Sequence, residues 1–282
     1  GVDYEGELEL EQAFINYHSD AFGFKGGVIL MPVGIINEYH EPPTFLSVER
    51  PSYSKYIIPT TWFGNGFQFY GNMGSFHWSL TLFEDMVGNG VGNMGSSKYA
   101  IRSARGKGET STTTDFTKTV KLGWSGMGMK AGLSMTMNDA PITYGDDTGD
   151  GGSVGVDLNE LNFSYNANNI HAVFETATIN YDWSAALNAD GSAYTDGQSS
   201  ASGYYLHFGY DIGSLFGAKL VPWVGVSTYT NDDDNSAKET TESLFGLSYW
   251  PHDNVTIKME MGTSEKDGAE TDVFNIGLGY MF

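Results

Sequence analysis

Alternation of apolar and polar positions is clearest at positions 274–282, where the sequence reads FNIGLGYMF. Successive side chains of a strand point to opposite faces, so the apolar residues of this segment would share one face. Such a strand, ending on an aromatic residue, is typical of the closing strand of an outer-membrane β-barrel and would carry the signal that the bacterial barrel-assembly machinery reads. The alternative is the closing strand of a soluble sandwich. The proposed assembly signal consists of Phe274, Ile276, Leu278, Tyr280 and Phe282.

The same period-two pattern recurs along the chain, for example at 203–210 and 219–229. Short and long connections alternate between these segments, which predicts short periplasmic turns and long external loops. The short connections fall at 19–21, 72–74, 125–126, 167–169, 213–218 and 251–254, and the long ones at 35–60, 84–116, 138–155, 181–202, 231–239 and 265–270.

This pattern gives about thirteen strands, whereas single-chain bacterial barrels usually have an even number. Either a further strand lies within 84–116, giving fourteen, or the chain lacks one or three strands of the intact protein. The abrupt start of the segment 7–11 favours the second explanation. The predicted fold is therefore all-β: a transmembrane antiparallel β-barrel forming a single domain over 1–282, with thirteen or fourteen strands, or sixteen if early strands are missing.

Composition supports a barrel over a helical membrane protein. The chain has 37 glycines and 14% aromatic residues, and no run approaches the ~20 apolar residues that a membrane helix needs. Aromatic residues near predicted strand ends, such as Trp223 and Trp250, are interpreted as interfacial girdles. Their ordinary preference for strands is the alternative explanation. The absence of cysteine excludes disulfides and thiolate metal sites.

The charge balance is strongly acidic, with 35 acidic against 14 basic residues and a net charge of -21. Nucleic acid is therefore excluded as a partner, and we interpret the acidity as solvated loops and a cation-tolerant pore. Glu7, Glu9 and Glu11 alternate with leucines and would share one face. Because charges facing lipid are destabilising, these glutamates are expected to form an acidic wall of the lumen, or to face a subunit groove.

Two charged clusters are candidate sites. Arg102, Arg105 and Lys107 lie in the long connection 84–116 and could form the positive side of a pore constriction. A solvated loop, or a contact with lipopolysaccharide phosphate, is the alternative.

The second cluster is acidic. Asp146, Asp147 and Asp150 provide the oxygen ligands that calcium prefers, but no glutamate closes a full calcium-binding loop. A flexible acidic loop is the alternative, and no other cofactor is expected. The chain also lacks a Gly-x-Ser-x-Gly elbow, a His-Glu-x-x-His motif and a phosphate loop, so we do not expect an enzyme.

Positions 34–45 (GIINEYHEPPTF), 48–51 (VERP) and 57–62 (IIPTTW) carry the most specific resemblance to a known family. They resemble a block in bacterial outer-membrane porins, the mostly uncharacterised relatives of the phosphate-selective porins O and P. Segments 9–14, 250–255 and 277–282 look similar too. The resemblance implies a sixteen-stranded barrel in the bacterial outer membrane, surrounded by lipid and lipopolysaccharide, often a homotrimer, that passes small solutes passively.

The departures from that family affect selectivity. Phosphate-selective relatives line their pores with many arginines and lysines, whereas basic residues are few here. In a late strand, relatives often carry an arginine directly after Pro-aromatic-Val, but 222–226 reads PWVGV. Phosphate selectivity is therefore not carried over. The predicted function is a diffusion porin for ions and small hydrophilic solutes, with a negative lumen except near the basic cluster. The alternative is a structural or surface-attachment barrel, with a plugged lumen, that binds a partner through acidic external loops.

Overall fold

The computed structural model describes residues 10–95, 99–110, 112–145, 150–215 and 217–281. They form one sheet in which the order of the strands follows the order of the chain and every neighbouring pair is antiparallel. The predicted all-β antiparallel fold with thirteen strands is confirmed. The strands are β1 Ala13–His18, β2 Phe22–Leu30, β3 Phe63–Met73, β4 Phe76–Phe83, β5 Thr117–Gly126, β6 Met129–Pro141, β7 Ser153–Ala167, β8 Ile170–Asp182, β9 Ser200–Tyr210, β10 Lys219–Thr230, β11 Thr240–His252, β12 Val255–Lys266 and β13 Ala269–Tyr280.

Helical structure is confined to short pieces in the connections. None of the helices in the described ranges is long and apolar enough to cross a membrane. Within 84–116 the described residues form one of the α-helices and two 3-10 helices but no strand, so the fourteenth strand considered there is not found. The α-helices are α1 Ile35–Glu38, α2 Tyr53–Tyr56 and α3 Gly92–Gly95, and the 3-10 helices are Pro42–Thr44, Gly88–Gly90, Arg102–Ala104, Gly213–Leu215 and Ser236–Lys238.

The connection between β12 and β13 is much shorter than the loop predicted at 265–270. Lys266 pairs with Ala269, so only Asp267 and Gly268 form the turn. Both residues have positive φ, 52° and 70°. An Asp-Gly pair in this conformation makes the tight turn whose twist matches the flanking strands, which allows the ladder to continue to the end of the hairpin.

The outer face of the sheet carries the apolar half of the alternation. On β9, Leu206 and Phe208 are 44% and 49% exposed, whereas Tyr205 and His207, between and beside them, are buried. On β13, Phe274, the next two apolar positions and Tyr280 are all exposed. Large apolar side chains exposed at every second position of strand after strand form a surface suited to lipid.

The apolar core lies on the inner face of the sheet, between the wall and two long connections. Tyr53 and Ile57, from the connection between β2 and β3, belong to one buried cluster with Leu158 of β7 and Ile179 of β8. Ala100, Ile101 and Ala104 of the connection between β4 and β5 join the same cluster. Residues 35–60 form a long connection, as predicted, but their apolar side chains fold inward against the wall instead of being solvated throughout.

Candidate functional site: the cavities of the lumen

The connection at 31–62, here called the inward loop, is held to the wall by a buried lysine. Lys258 of β12 is 3% exposed, and its ammonium group donates to the carbonyl oxygens of Pro42, Phe45 and Ser47 at 2.5, 2.6 and 2.8 Å. Lysine has three donors, so all of them are used on one stretch of loop backbone. This stretch is thereby fixed against the last strands of the sheet.

Neighbouring wall residues extend the same attachment. Glu260, two positions after Lys258 and on the same face, accepts hydrogen bonds from the backbone amide groups of Val48 at 2.6 Å and Glu49 at 3.3 Å. Ser248 of β11 donates to the carbonyl oxygen of Leu46 at 2.5 Å. Charged and polar wall groups therefore satisfy loop backbone that would otherwise be buried without partners.

The two ends of the inward loop are joined to each other. Asn37 donates from its side-chain amide to the carbonyl oxygen of Met31 at 2.8 Å, and its side-chain oxygen accepts from the amide of Trp62 at 2.8 Å. Glu175 of β8 accepts from the amide of Ile35 at 2.8 Å. The loop thus leaves and re-enters the sheet through one clamp, and it is attached both to β8 and to the later strands β11 and β12.

The basic cluster predicted to form the constriction braces one loop against the other. Arg105 donates to the carbonyl oxygens of Thr60 at 2.6 Å and Thr61 at 2.9 Å, both at the end of the inward loop. Arg102 lies over the ring of Tyr99, with 5.7 Å between guanidinium carbon and ring centroid.

Lys107, the third residue of that cluster, has its ammonium group 5.5 Å from the centroid of the Phe63 ring. The described residues form two cavities, presented below, and none of these three basic side chains lines either of them. Their role in a constriction stays a prediction.

The larger cavity has a volume of about 850 Å³ and extends from the inward loop to the short turns. Its described lining is basic, with four lysines and three histidines against a single carboxylate, that of Glu38. This contrasts with the net charge of the chain and with the negative lumen expected from it. The basic lining residues are Lys25, Lys121, Lys130, Lys219, His77, His171 and His207.

Most of these lysines face rings rather than carboxylates. The ammonium group of Lys219 lies 4.2 Å from the centroid of the Trp250 ring, and that of Lys130 lies 5.7 Å from the centroid of Tyr39. Such cation–π contacts hold a positive charge in place without neutralising it. Lys121 is the exception, since it forms an ion pair with Glu38 of α1. The chamber therefore keeps positive charge that a solute can meet.

Trp250 and Trp223 are 7% and 3% exposed and pack together on the inner face, so their interpretation as interfacial girdle residues is wrong.

The smaller cavity, of about 200 Å³, is bordered by residues 47–56 of the inward loop and carries charges of both signs. Arg50 and Lys55 contribute the positive charges from the loop, and Glu242 of β11 and Glu260 of β12 contribute negative charges from the wall. Burial lowers the pKa of the Arg50 guanidinium below its ordinary value, although the charges of Glu11 and Glu49 oppose this. His207 borders both cavities.

The other predicted site residues are only partly described. Glu7 and Glu9 lie outside the described residues, and Glu11 pairs with His40 across 3.1 Å instead of lining either cavity. Of the assembly signal, the first four residues face outward at 60–76% exposure, and Phe282 lies outside the described residues.

Of the calcium candidate, Asp146 and Asp147 lie outside the described residues. Asp150 accepts hydrogen bonds from the amides of Tyr144 at 2.6 Å and Gly145 at 2.8 Å. In the described part of the chain, no three acidic, histidine or cysteine side chains are grouped as a metal site would need.

The lumen lysines were missed at the sequence level, although the pattern contained a signal. Lys121 lies between Val120 and Leu122, which are 43% and 53% exposed on the outer face. A charged residue between two lipid-facing ones must point inward. Applied strand by strand, that rule would have identified Lys121 and, between Ile257 and Met259, Lys258.

Comparison with known proteins gives the fold a precedent. No family model matches the chain. An uncharacterised protein of Aquifex aeolicus is 28% identical over 305 aligned positions, which cover the whole of this chain and 67% of that protein.

Solved structures of bacterial outer-membrane porins are similar in fold at low sequence identity. OmpF of Salmonella typhi, solved with daunomycin, is 12% identical with a TM-score of 0.60, over 96% of this chain and 78% of that one. OprB of Pseudomonas putida is also 12% identical with a TM-score of 0.60, over 96% and 73%. An anion-selective porin of Comamonas acidovorans is 10% identical with a TM-score of 0.57, over 95% and 77%. The chain has the transmembrane β-barrel fold of bacterial outer-membrane porins.

Proposed function

We propose that the chain forms a passive, non-enzymatic channel in the bacterial outer membrane for ions and small hydrophilic solutes. The observation that carries the proposal is the cavity of about 850 Å³, lined in part by charged side chains, inside a sheet whose outer face is apolar. A barrel with lipid on the outside and a hydrated, charged chamber on the inside provides a path across the membrane for solutes that lipid excludes.

The selectivity that we propose is weak and does not favour phosphate. The larger cavity concentrates small anions through Lys25, Lys130 and Lys219, whereas the smaller cavity adds carboxylates that oppose an exclusive preference for anions. Rings of charged side chains set the preference of a pore for ions, so two regions of different charge balance favour a general diffusion channel. The proposed relationship is to the uncharacterised relatives of the phosphate-selective porins O and P, and a homotrimer is proposed by analogy with that family.

Single-channel recording of the intact protein in planar bilayers, under a gradient of KCl, tests this proposal. We expect stable unitary conductance and a reversal potential close to zero. Replacing chloride with phosphate then tests selectivity, because a strong increase in anion preference would contradict the weak selectivity proposed here.

The second candidate is a plugged barrel that binds a partner through its long acidic loops. The observation in its favour is the apolar core that both inward-folded connections form with the wall, which includes Tyr53, Ile101 and Leu158. A silent bilayer, despite insertion confirmed by protease protection and heat-modified gel mobility, would support this candidate and contradict the channel.

A further inference from the structure

The smaller cavity brings together charges of both signs that are not paired with each other. Arg50 donates to the hydroxyl of Thr60 at 2.9 Å and to the carbonyl oxygen of His40 at 3.3 Å. A guanidinium has five N–H donors, so these two bonds leave others available. Among the described residues Arg50 forms no ion pair with a carboxylate.

Lys55, the second positive charge, is exposed, and its ammonium group lies 5.5 Å from the centroid of the Tyr56 ring. It too forms no ion pair with a carboxylate in the described parts of the chain. The loop side of the cavity therefore presents two cations whose charge is held by neutral partners.

The wall side presents the carboxylates. Glu260 is 1% exposed, and its oxygens accept from the amide of Val48 at 2.6 Å and from the side-chain amide of Asn275 at 2.9 Å. Glu242 borders the same cavity as Glu260 and Lys55. The hydrogen bonds of Glu260 hold its carboxylate in place at the edge of the cavity. Among the residues described, neither Glu242 nor Glu260 forms an ion pair.

The smaller cavity also has a limited volume and a hydroxyl group available for a further hydrogen bond. Ser47 borders the cavity, is 1% exposed, and its hydroxyl lacks a hydrogen-bond partner in the described structure. A cavity of about 200 Å³ is smaller than the roughly 300–1,000 Å³ of sites for drug-sized ligands. It therefore suits a solute of amino-acid size rather than a nucleotide or an oligosaccharide.

We propose that the smaller cavity is a subsite for small zwitterionic solutes of the α-amino-acid class. The carboxylate of the solute faces Arg50 and Lys55, and its ammonium group faces Glu242 and Glu260. Such a solute replaces the water on both sets of charges at once, which a single anion or cation cannot do. The inference rests on the channel proposed above and names a substrate class for it.

Liposome swelling with the intact protein tests this inference with two isomeric solutes. L-Alanine and lactamide have the same atoms and no net charge, but only L-alanine is a zwitterion. We expect L-alanine to permeate about threefold to tenfold faster than lactamide, because charge-assisted hydrogen bonds are stronger than neutral ones. Arg50→Gln and Glu242→Gln, tested separately, should each bring the ratio of the two rates close to one.

Lys118→Gln is the matched control, since Lys118 is an exposed lysine paired with Asp115 at 2.8 Å and lies outside the cavity. It should keep the ratio of the wild-type protein. Equal rates for the two isomers in the wild-type protein, or an unchanged ratio in both glutamine variants, would overturn the zwitterion subsite while leaving the channel intact. If neither isomer permeates and conductance is absent, the proposed channel itself fails.

Discussion

Replacing Lys258 with methionine tests whether the inward loop is held in the lumen by that one side chain. Methionine keeps much of the apolar stem but removes the three hydrogen bonds to the carbonyl oxygens of Pro42, Phe45 and Ser47. The side chain is buried, so the lost bonds are not replaced by solvent in the docked state. The perturbation therefore acts on the attachment of the loop more than on the barrel wall.

The size of the effect follows from the number of bonds and from the anchors that remain. A hydrogen bond to a charged group contributes about 1.5–3 kcal/mol, and contributions within one network do not add fully. Glu260 and Ser248 still hold adjacent backbone. We therefore expect the docked state to lose about 2–4 kcal/mol, which lowers its population relative to released states by roughly 30-fold to 1,000-fold.

Two measurements on the Lys258→Met protein check this expectation. Single-channel recording should show frequent excursions to larger conductance, as the loop leaves the lumen. Trypsin should cleave after Lys55, an exposed residue of the loop, faster than in the wild-type protein. Lys118→Met, which removes an exposed lysine, serves as the control. Wild-type conductance together with an unchanged rate of cleavage would refute the role assigned to Lys258.

Two further substitutions test the wall and the second inward-folded connection. Leu206→Arg places a charge in the apolar outer belt and should destabilise the inserted barrel by about 2–4 kcal/mol, measured by urea unfolding in lipid vesicles. Leu215→Arg, in an exposed short turn, is the control and should have little effect. Equal stability of the two variants would contradict a lipid-facing belt. Asp85 is 1% exposed and accepts from the Thr114 amide at 2.6 Å and the Asn138 side-chain amide at 3.0 Å. Asp85→Ala should therefore loosen residues 84–116 by about 2–4 kcal/mol, seen as faster proteolysis within 99–110, and wild-type protection there would show that the carboxylate is dispensable.

The strands of the wall could be predicted from the sequence, because the alternation of adjacent residues along each strand determines which face is apolar. On β13 the alternation that begins at Phe274 is enough to assign an outward face, and the exposures of these side chains agree with it. The turn at Asp267 and Gly268 was overestimated in length, because polar residues that continue a strand resemble those of a loop. Local composition does not separate the two cases, whereas pairing across the hairpin does.

The cavities could not be predicted in the same way, because their geometry depends on distant residues. Phe45 meets Lys258 across 213 positions of sequence, and nothing in the local pattern around either residue indicates the contact. The basic cluster presents a different difficulty, because its residues could be recognised in the sequence but their contacts could not. A basic cluster was visible, but which acceptors it uses depends on where residues 60 and 61 of the other connection lie.

The attachment of the inward loop to β12 also constrains the order of folding. The segment that divides the lumen lies between β2 and β3, but the lysine that holds it belongs to a strand about two hundred positions later. Contacts of such large sequence separation form late, because the chain between them must be ordered first. The inward loop can therefore take its docked position only when β12 is in place to receive it. Narrowing of the lumen is in this sense a consequence of completed assembly.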